Sequence, residues 1–143
     1  VTTMKRLLIA VLTIVMLASC AAPAAVVGPS AATLSDGLKL HDIFEDATKF
    51  KYAYEDEGDD PYDYYSFNCA GATLDDFDIA MQKAKDAGFV ENSSYSGMTE
   101  VFSYVGYKEG YQCYMCLVYG CFEMIIRPEN HLELQEANEN GQQ

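Results

Sequence analysis

The sequence predicts an α+β fold, in which one antiparallel sheet carries one main helix on its apolar face. The predicted order is β-β-α-β-β-β after a short N-terminal helix. Residues 74–87 combine helical spacing of apolar residues with signals at both helix ends. Hairpin-forming β-prone runs follow at residues 101–107, 111–118 and 121–127. Period-two runs precede the helix, the second of them at residues 64–70. We see no internal repeat.

Residues 34–50 are predicted to form the short first helix. Its apolar residues at helical spacing are Leu40, Ile43, Phe44 and Ala47. Ser35 or Asp36 would serve as the N-cap, although Gly37 weakens the start.

Two short strands are predicted before the main helix. Phe50, Tyr52 and Tyr54 alternate with other residues at period two, which favours a strand. An acidic turn at residues 55–63 separates it from the strand at residues 64–70. The face of that second strand expected to turn inward consists of Tyr65, Phe67 and Cys69.

The helix at residues 74–87 has agreeing local signals along its length. Thr73 is a good N-cap, acidic residues fill the first turn, and lysines lie near the end, as the helix dipole favours. Gly88 is placed to end the helix, and Phe89 to fold back as its hydrophobic contact. The expected buried stripe is Phe77, Ala80, Met81 and Ala84.

The last predicted strands form a hairpin whose register follows from its turn. If Tyr119-Gly120 is a two-residue turn, Val118 pairs with Cys121 and Leu117 with Phe122. The core face is then Cys113, Met115, Leu117, Phe122, Met124 and Ile126. The opposite face is Gln112, Tyr114, Cys116, Val118, Cys121, Glu123 and Arg127. Residues 91–99 are expected to be a polar loop, and residues 129–143 a polar tail with a short helix around residues 132–137.

The first twenty residues are organised as an export signal. Lys5 and Arg6 precede an apolar run at residues 7–18, interrupted only by Thr13. The run has the length of a signal-peptide core and is too short to span a bilayer. It ends in four residues that resemble the lipobox of bacterial lipoproteins at every position, Leu17-Ala18-Ser19-Cys20.

The resemblance covers residues 1–20 and implies a lipid anchor. A lipobox implies that residues 1–19 are removed as a signal peptide and that the Cys20 thiol carries a diacylglyceryl group. Residues 20–33 are then expected to be a flexible tether, with the domain at residues 34–128. The expected location is the extracytoplasmic side of the cell membrane or outer membrane. The alternative is an ordinary signal cleaved nearby, for which Ala18, Ala21 and Ala22 are small enough.

The charge of the chain restricts its partners. The 143 residues carry 22 acidic and 9 basic side chains, a formal net charge of −13. Residues 20–143 keep all 22 acids and seven of the basic residues, so their charge is 7 − 22 = −15. Such a surface repels nucleic-acid phosphates and anionic lipid head groups. Nucleic acid is therefore excluded as a partner, whereas a membrane through Cys20 and an envelope protein are expected.

Four cysteines follow Cys20, namely Cys69, Cys113, Cys116 and Cys121. Cys113 and Cys116 have C-x-x-C spacing, but residues three apart on a strand point to opposite faces, which disfavours a zinc or dithiol site. Disulfides and free thiols stay open as alternatives. Cys69 and Cys113 both face the predicted core, while Cys116 and Cys121 are diagonal neighbours at ~7–8 Å, at the bridging limit.

No catalytic residue and no cofactor are predicted. The acidic turn at residues 55–63 is a candidate calcium site but lacks the EF-hand spacing, and a solvated loop is the competing interpretation. His41 and His131 are expected to be surface residues rather than general bases. The alternative function is a calcium-dependent binder or a small envelope enzyme that uses this turn or the cysteines.

Tyrosines provide the candidate interaction surface. An aromatic patch beside Cys116 on the outer sheet face is predicted from Tyr104, Tyr107, Tyr111 and Tyr114. Tyrosine is favoured at interfaces because it combines a large contact area with a polar tip, although it is also an ordinary strand residue. The favoured function is therefore a non-enzymatic, lipid-anchored domain that binds an envelope component through its open sheet face.

Overall fold

The computed structural model describes residues 28–58 and 62–141 and confirms the α+β architecture. The strands are β1 (Tyr52–Gly58), β2 (Tyr64–Ala70), β3 (Glu91–Met98), β4 (Val101–Lys108), β5 (Tyr111–Val118) and β6 (Cys121–Pro128). The helices are α1 (Ala31–Leu34), α2 (Leu40–Ile43), α3 (Leu74–Asp86) and α4 (His131–Gly141), with a 3₁₀ turn at Ala47–Lys49. The strands form one antiparallel sheet in the order β1-β2-β6-β5-β4-β3. The predicted signal peptide, Cys20 and most of the predicted tether lie outside the described residues.

The sheet has one strand more than predicted, because residues 91–99 are not a loop. Glu91–Met98 is the edge strand β3, and every one of its residues is exposed. Period-two hydrophobicity arises where one face of a strand is buried, and β3 buries neither face. Its backbone pairing with β4 forms the strand although the sequence has no β-branched residue and includes Asn92 and Gly97, which have weak strand propensity.

The predicted N-terminal helix is broken into α1, α2 and the 3₁₀ turn. Gly37 has φ +78°, a left-handed conformation that cannot continue a right-handed helix. Ser30 caps α1, while Ser35 lies at its C-cap, so the predicted N-cap at Ser35 or Asp36 is wrong. Ala31 is fully buried. The packed domain therefore begins before residue 34, and the predicted tether includes residues that belong to the core.

The predicted main helix is confirmed as α3, which ends one residue earlier than predicted. Thr73 and Asp76 form a reciprocal capping box, and Lys49 pairs with the Asp76 carboxylate. Burial opposes ionisation of Asp76, but hydrogen bonds from Lys49 and Thr73 outweigh it and lower its pKa. Beyond the helix, Gly88 has φ +98° and the Phe89 amide donates to the Ala84 carbonyl oxygen at 3.0 Å.

The two faces of the sheet differ in what covers them. On the inner face, α3 packs over a core that includes every residue assigned to the core face of the predicted β5–β6 hairpin. The predicted register of Val118 with Cys121 and of Leu117 with Phe122 is confirmed. The outer face is the opposite one, and α4 lies over one end of it. Among the helices of residues 28–58 and 62–141, none has the length and hydropathy that crossing a bilayer requires.

Candidate functional site

The predicted tyrosine patch divides between the two faces of the sheet. Tyr107 and Tyr114 lie on the outer face, as predicted, with Tyr114 one pleat from Cys116. Tyr104 and Tyr111 instead lie on the inner face, where Tyr104 is 2% exposed. Tyr104 lies three residues before Tyr107, and Tyr111 three before Tyr114; an odd spacing along a strand reverses the face. The assignment of Tyr104 and Tyr111 to the outer face is therefore wrong.

Both inward tyrosines have structural roles. The Tyr104 hydroxyl donates to the Phe89 carbonyl oxygen at 2.6 Å and so ties β4 to the turn after α3. The Tyr111 hydroxyl donates to Asp63 Oδ2 at 2.5 Å. Burial, followed by the hydrogen bond to Asp63, raises the pKa of Tyr111 to about 12. Both hydroxyl groups are therefore used within the fold.

Three outer-face tyrosines were missed by the sequence interpretation. Tyr52 and Tyr54 lie on β1 opposite Ala70 and Asn68, and Tyr64 begins β2. The predicted inward positions of β2 already imply that Tyr64 points outward, so alternation alone would have found it. For β1 the face depends on its register with β2, which the sequence does not show. We call the resulting set the outer-face tyrosines: Tyr52, Tyr54, Tyr64, Tyr107 and Tyr114.

A chain of side-chain hydrogen bonds crosses the outer face. Arg127 Nε on β6 donates to Gln112 Oε1 on β5 at 3.1 Å. Gln112 Nε2 then donates to the Tyr107 hydroxyl on β4 at 2.9 Å. These bonds restrain side chains on three neighbouring strands, and a restrained side chain has less rotamer entropy to lose in a contact.

A shallow groove of about 320 Å³ lies on the outer face, at the end of the sheet away from α4. Its side chains include Tyr52, Cys116, Val118, Cys121 and Glu123. At the opposite end, α4 leaves only a small cavity of about 80 Å³ against the sheet. The groove is mostly apolar, with one carboxylate and the two outer-face thiols, which suits contact with another molecule. Of these two cavities, the larger lies at the end that α4 does not cover.

Three acids of the predicted turn accept hydrogen bonds within the fold. The strand β1 runs through Glu55 and Asp56 to Gly58, so the turn is shorter than predicted. Glu55 accepts from the Tyr65 hydroxyl at 2.7 Å, and Asp56 from the Tyr64 hydroxyl at 2.5 Å. Asp63 accepts from the Ala31 amide at 3.0 Å. Within residues 28–58 and 62–141, no three His, Cys, Asp or Glu side chains are grouped as metal ligands; residues 59–61 are not described.

The cysteines occupy the faces that the sequence predicted. Cys69 and Cys113 are buried on the inner face, and Cys116 and Cys121 lie diagonally on the outer face. All four are free thiols among the described residues. Burial raises the pKa of both Cys69 and Cys113 to about 12, and it also raises that of Cys116. The C-x-x-C pair thus points to opposite faces, as the strand period requires.

Native alkylation is expected to separate these thiols. With a maleimide reagent, exposed Cys121 should react first and Cys116 more slowly, while Cys69 and Cys113 react only after unfolding. A pKa near 12 instead of 9.0 lowers the thiolate fraction about a thousandfold at neutral pH. Peptide mass spectrometry at timed intervals measures the order. Protection of Cys116 and Cys121 together, removed by a reductant, would instead reveal a disulfide between them.

The two histidines lie apart from the outer-face groove. His41 is largely exposed, with Nε2 at 3.3 Å from Asp42 Oδ1. His131 begins α4, with Nδ1 at 3.2 Å from the Pro128 carbonyl oxygen. Burial and the nearby Arg127 charge lower the pKa of His131, so its ring is mostly neutral at pH 7.

No protein-family model, curated protein or solved structure matches this chain. No matched relative therefore supplies site residues position by position. The candidate site is defined by the surface chemistry of the outer face.

Proposed function

We propose that the chain is a lipid-anchored protein on the extracytoplasmic side of the bacterial cell envelope, and that its domain binds an envelope protein without catalysing a reaction. The observation that carries the binding function is the open end of the outer face. There Tyr54 is 50% exposed and Tyr52 lines the groove. Exposed tyrosines on a rigid sheet offer contact area at little entropic cost, which suits a protein interface.

The proposed anchor joins the domain at the end opposite the groove. Ala31 is held to Asp63 at the end of the sheet where β2 begins. Cys20 lies eleven positions earlier in the sequence. Eleven residues of fully extended chain reach at most about 40 Å. The groove with Tyr52 lies at the opposite end of the strands, about 20–25 Å farther on. The chain from a lipid at Cys20 would thus join the domain at the end remote from the groove.

The net charge of the domain bears on its attachment and on its partner. The proposed mature chain carries −15, and anionic head groups repel it, so attachment depends on the lipid alone. The same charge favours a neutral or basic partner surface, because two strongly acidic surfaces repel each other.

Position-specific photocross-linking in the native membrane tests this function. A photoreactive residue at Tyr54 should cross-link to one defined protein, whereas the same residue at Ile79 should not. Ile79 is a matched control, since it is 46% exposed but lies on α3, in the layer opposite the outer face. The double variant Tyr52→Ser with Tyr54→Ser should weaken binding of that protein about tenfold or more. Equal cross-linking from both positions, or none from Tyr54, would contradict the proposed face.

A further inference from the structure

We propose that the free edge of β3 binds an extended segment of a partner protein by strand addition, and that this segment carries basic residues at its ends. Within the described part of the chain, β3 pairs with β4 alone and forms one edge of the sheet. An edge strand presents a row of unpaired backbone donors and acceptors, which is the template that an added strand uses. The proposal depends neither on the lipid nor on the outer-face tyrosines.

The two edges of the sheet are protected to different degrees. On β1, the successive acids Glu55, Asp56 and Glu57 charge the edge, a common device against strand addition. Residues 92–99 of the β3 edge contain no charged residue and no proline. A register irregularity between Glu91 and Ser94 interrupts the start of β3, and regular pairing then continues from Ser94 to Met98. The accessible template is therefore these five residues.

An aromatic ledge lies beside this edge on the inner face. Tyr95 is 53% exposed, and its ring centroid lies 6.4 Å from that of Phe77 on α3. The ring lies across Gly97, where an added Cβ would come within 2.6 Å of the Tyr95 hydroxyl oxygen. Phe102 extends the cluster, at 6.3 Å from Phe77. Alternate side chains of an added strand would rest on this ledge, which provides apolar contact beyond the backbone hydrogen bonds.

Charge decides between a foreign segment and a second copy. The neutral template is flanked by Glu91 and Glu100. If two copies paired antiparallel through β3 with Tyr95 of each opposite Ser96 of the other, the positions of Glu91 and Glu100 would face each other at both ends of the pair. Like charges facing each other across strands are destabilising, and both chains also carry a net charge of −13. A segment with Lys or Arg near both ends reverses these contacts, so a basic-ended partner is the occupant that the edge fits.

A synthetic peptide tests the proposal on the full chain purified in detergent. The probe is a fluorescein-labelled ten-residue peptide that alternates Thr and Val between terminal lysines, and its binding is followed by fluorescence anisotropy. A version with proline at a central position should bind at least about tenfold more weakly, because it cannot complete the ladder. A version with terminal glutamates should also lose about tenfold. Amide exchange should slow at residues 94–98 when the lysine-ended peptide binds.

Matched variants localise the binding. Ser96→Lys places a charge on an exposed residue of the β3 edge, and Ala53→Lys adds the same charge to an exposed residue of β1. We expect the first to weaken peptide binding about tenfold and the second to change it little. Glu91→Lys combined with Glu100→Lys should reverse the preference toward the glutamate-ended peptide.

Several results would overturn the inference. They are equal effects of Ser96→Lys and Ala53→Lys on peptide binding, unchanged amide exchange at residues 94–98, or no binding of the lysine-ended peptide. A dimer that forms without peptide and that Ser96→Lys abolishes would identify a second copy as the occupant and would also overturn it. Cross-links from Tyr54 are expected to persist in the Ser96→Lys variant, which separates this edge from the proposed outer-face function.

Discussion

Cys20→Ser is expected to transfer the protein from the membrane fraction to the soluble fraction. The proposed anchor contains two or three acyl chains, each CH₂ contributing ~0.8 kcal/mol when buried in the bilayer. One chain gives only marginal binding, so removing all of them abolishes stable attachment. The acidic domain adds no attraction to anionic lipids that would compensate. Fractionation and intact-mass measurement of the purified protein record the change.

Cys121→Ser is the matched control for this substitution. It removes an exposed thiol from β6 and should leave both the membrane distribution and the lipid mass unchanged. In the wild-type protein, we expect the amino terminus at residue 20 with added lipid mass. An amino terminus at any other residue without that mass, or unchanged membrane partition of Cys20→Ser, would contradict the lipid anchor and the proposed location.

Gly106→Ala is expected to destabilise the domain by about 2–4 kcal/mol, a large share of the ~5–15 kcal/mol typical of a folded domain. Gly106 lies on the inner face of β4, against the turn that follows α3. A Cβ there would lie 2.1 Å from the Phe89 carbonyl oxygen and 2.8 Å from the Tyr104 hydroxyl oxygen. The nearest atom belongs to the backbone, so no side-chain rotation relieves the clash. Thermal unfolding should show a decrease in Tm of about 10 °C.

Two comparisons give this prediction its specificity. Gly141→Ala makes the same change where the added Cβ would meet nothing within 4 Å, and it should alter stability by a few tenths of a kcal/mol at most. Tyr104→Phe removes the donor to the Phe89 carbonyl and should cost about 1–3 kcal/mol. The effects of Gly106→Ala and Tyr104→Phe should not add, because both act on this contact. Equal stability of Gly106→Ala and Gly141→Ala would show that β4 and the turn are not packed this closely.

The elements that could be predicted have short-range causes. Helix α3 depends on a cap at Thr73, a stripe at period 3.6 and a terminal glycine at Gly88, all within one stretch of chain. The β5–β6 hairpin depends on Tyr119-Gly120 and on the alternation of its strands, which together determine the register. The same alternation placed all four of the later cysteines on the correct faces.

The candidate site was predicted only in part. Applied strictly, alternation would have removed Tyr104 and Tyr111 from the outer face and added Tyr64. The hydrogen bonds of the acidic residues could not be predicted from alternation. Asp63, for example, contacts Ala31 and Tyr111, which lie 32 and 48 positions away in sequence. Such long-range contacts form only when the chain folds.

The sequence by itself determined the main helix, the hairpin register, the acidic charge and the expectation of a lipid anchor at Cys20. Each depends on neighbouring residues or on composition, and can therefore be predicted without knowing the tertiary contacts. Only the tertiary structure decided that residues 91–98 are a strand, since their pairing with β4 replaces a propensity that they lack. It also decided which surfaces are free, because exposure depends on how the helices pack against the sheet. The free surfaces are the groove end of the outer face and the β3 edge.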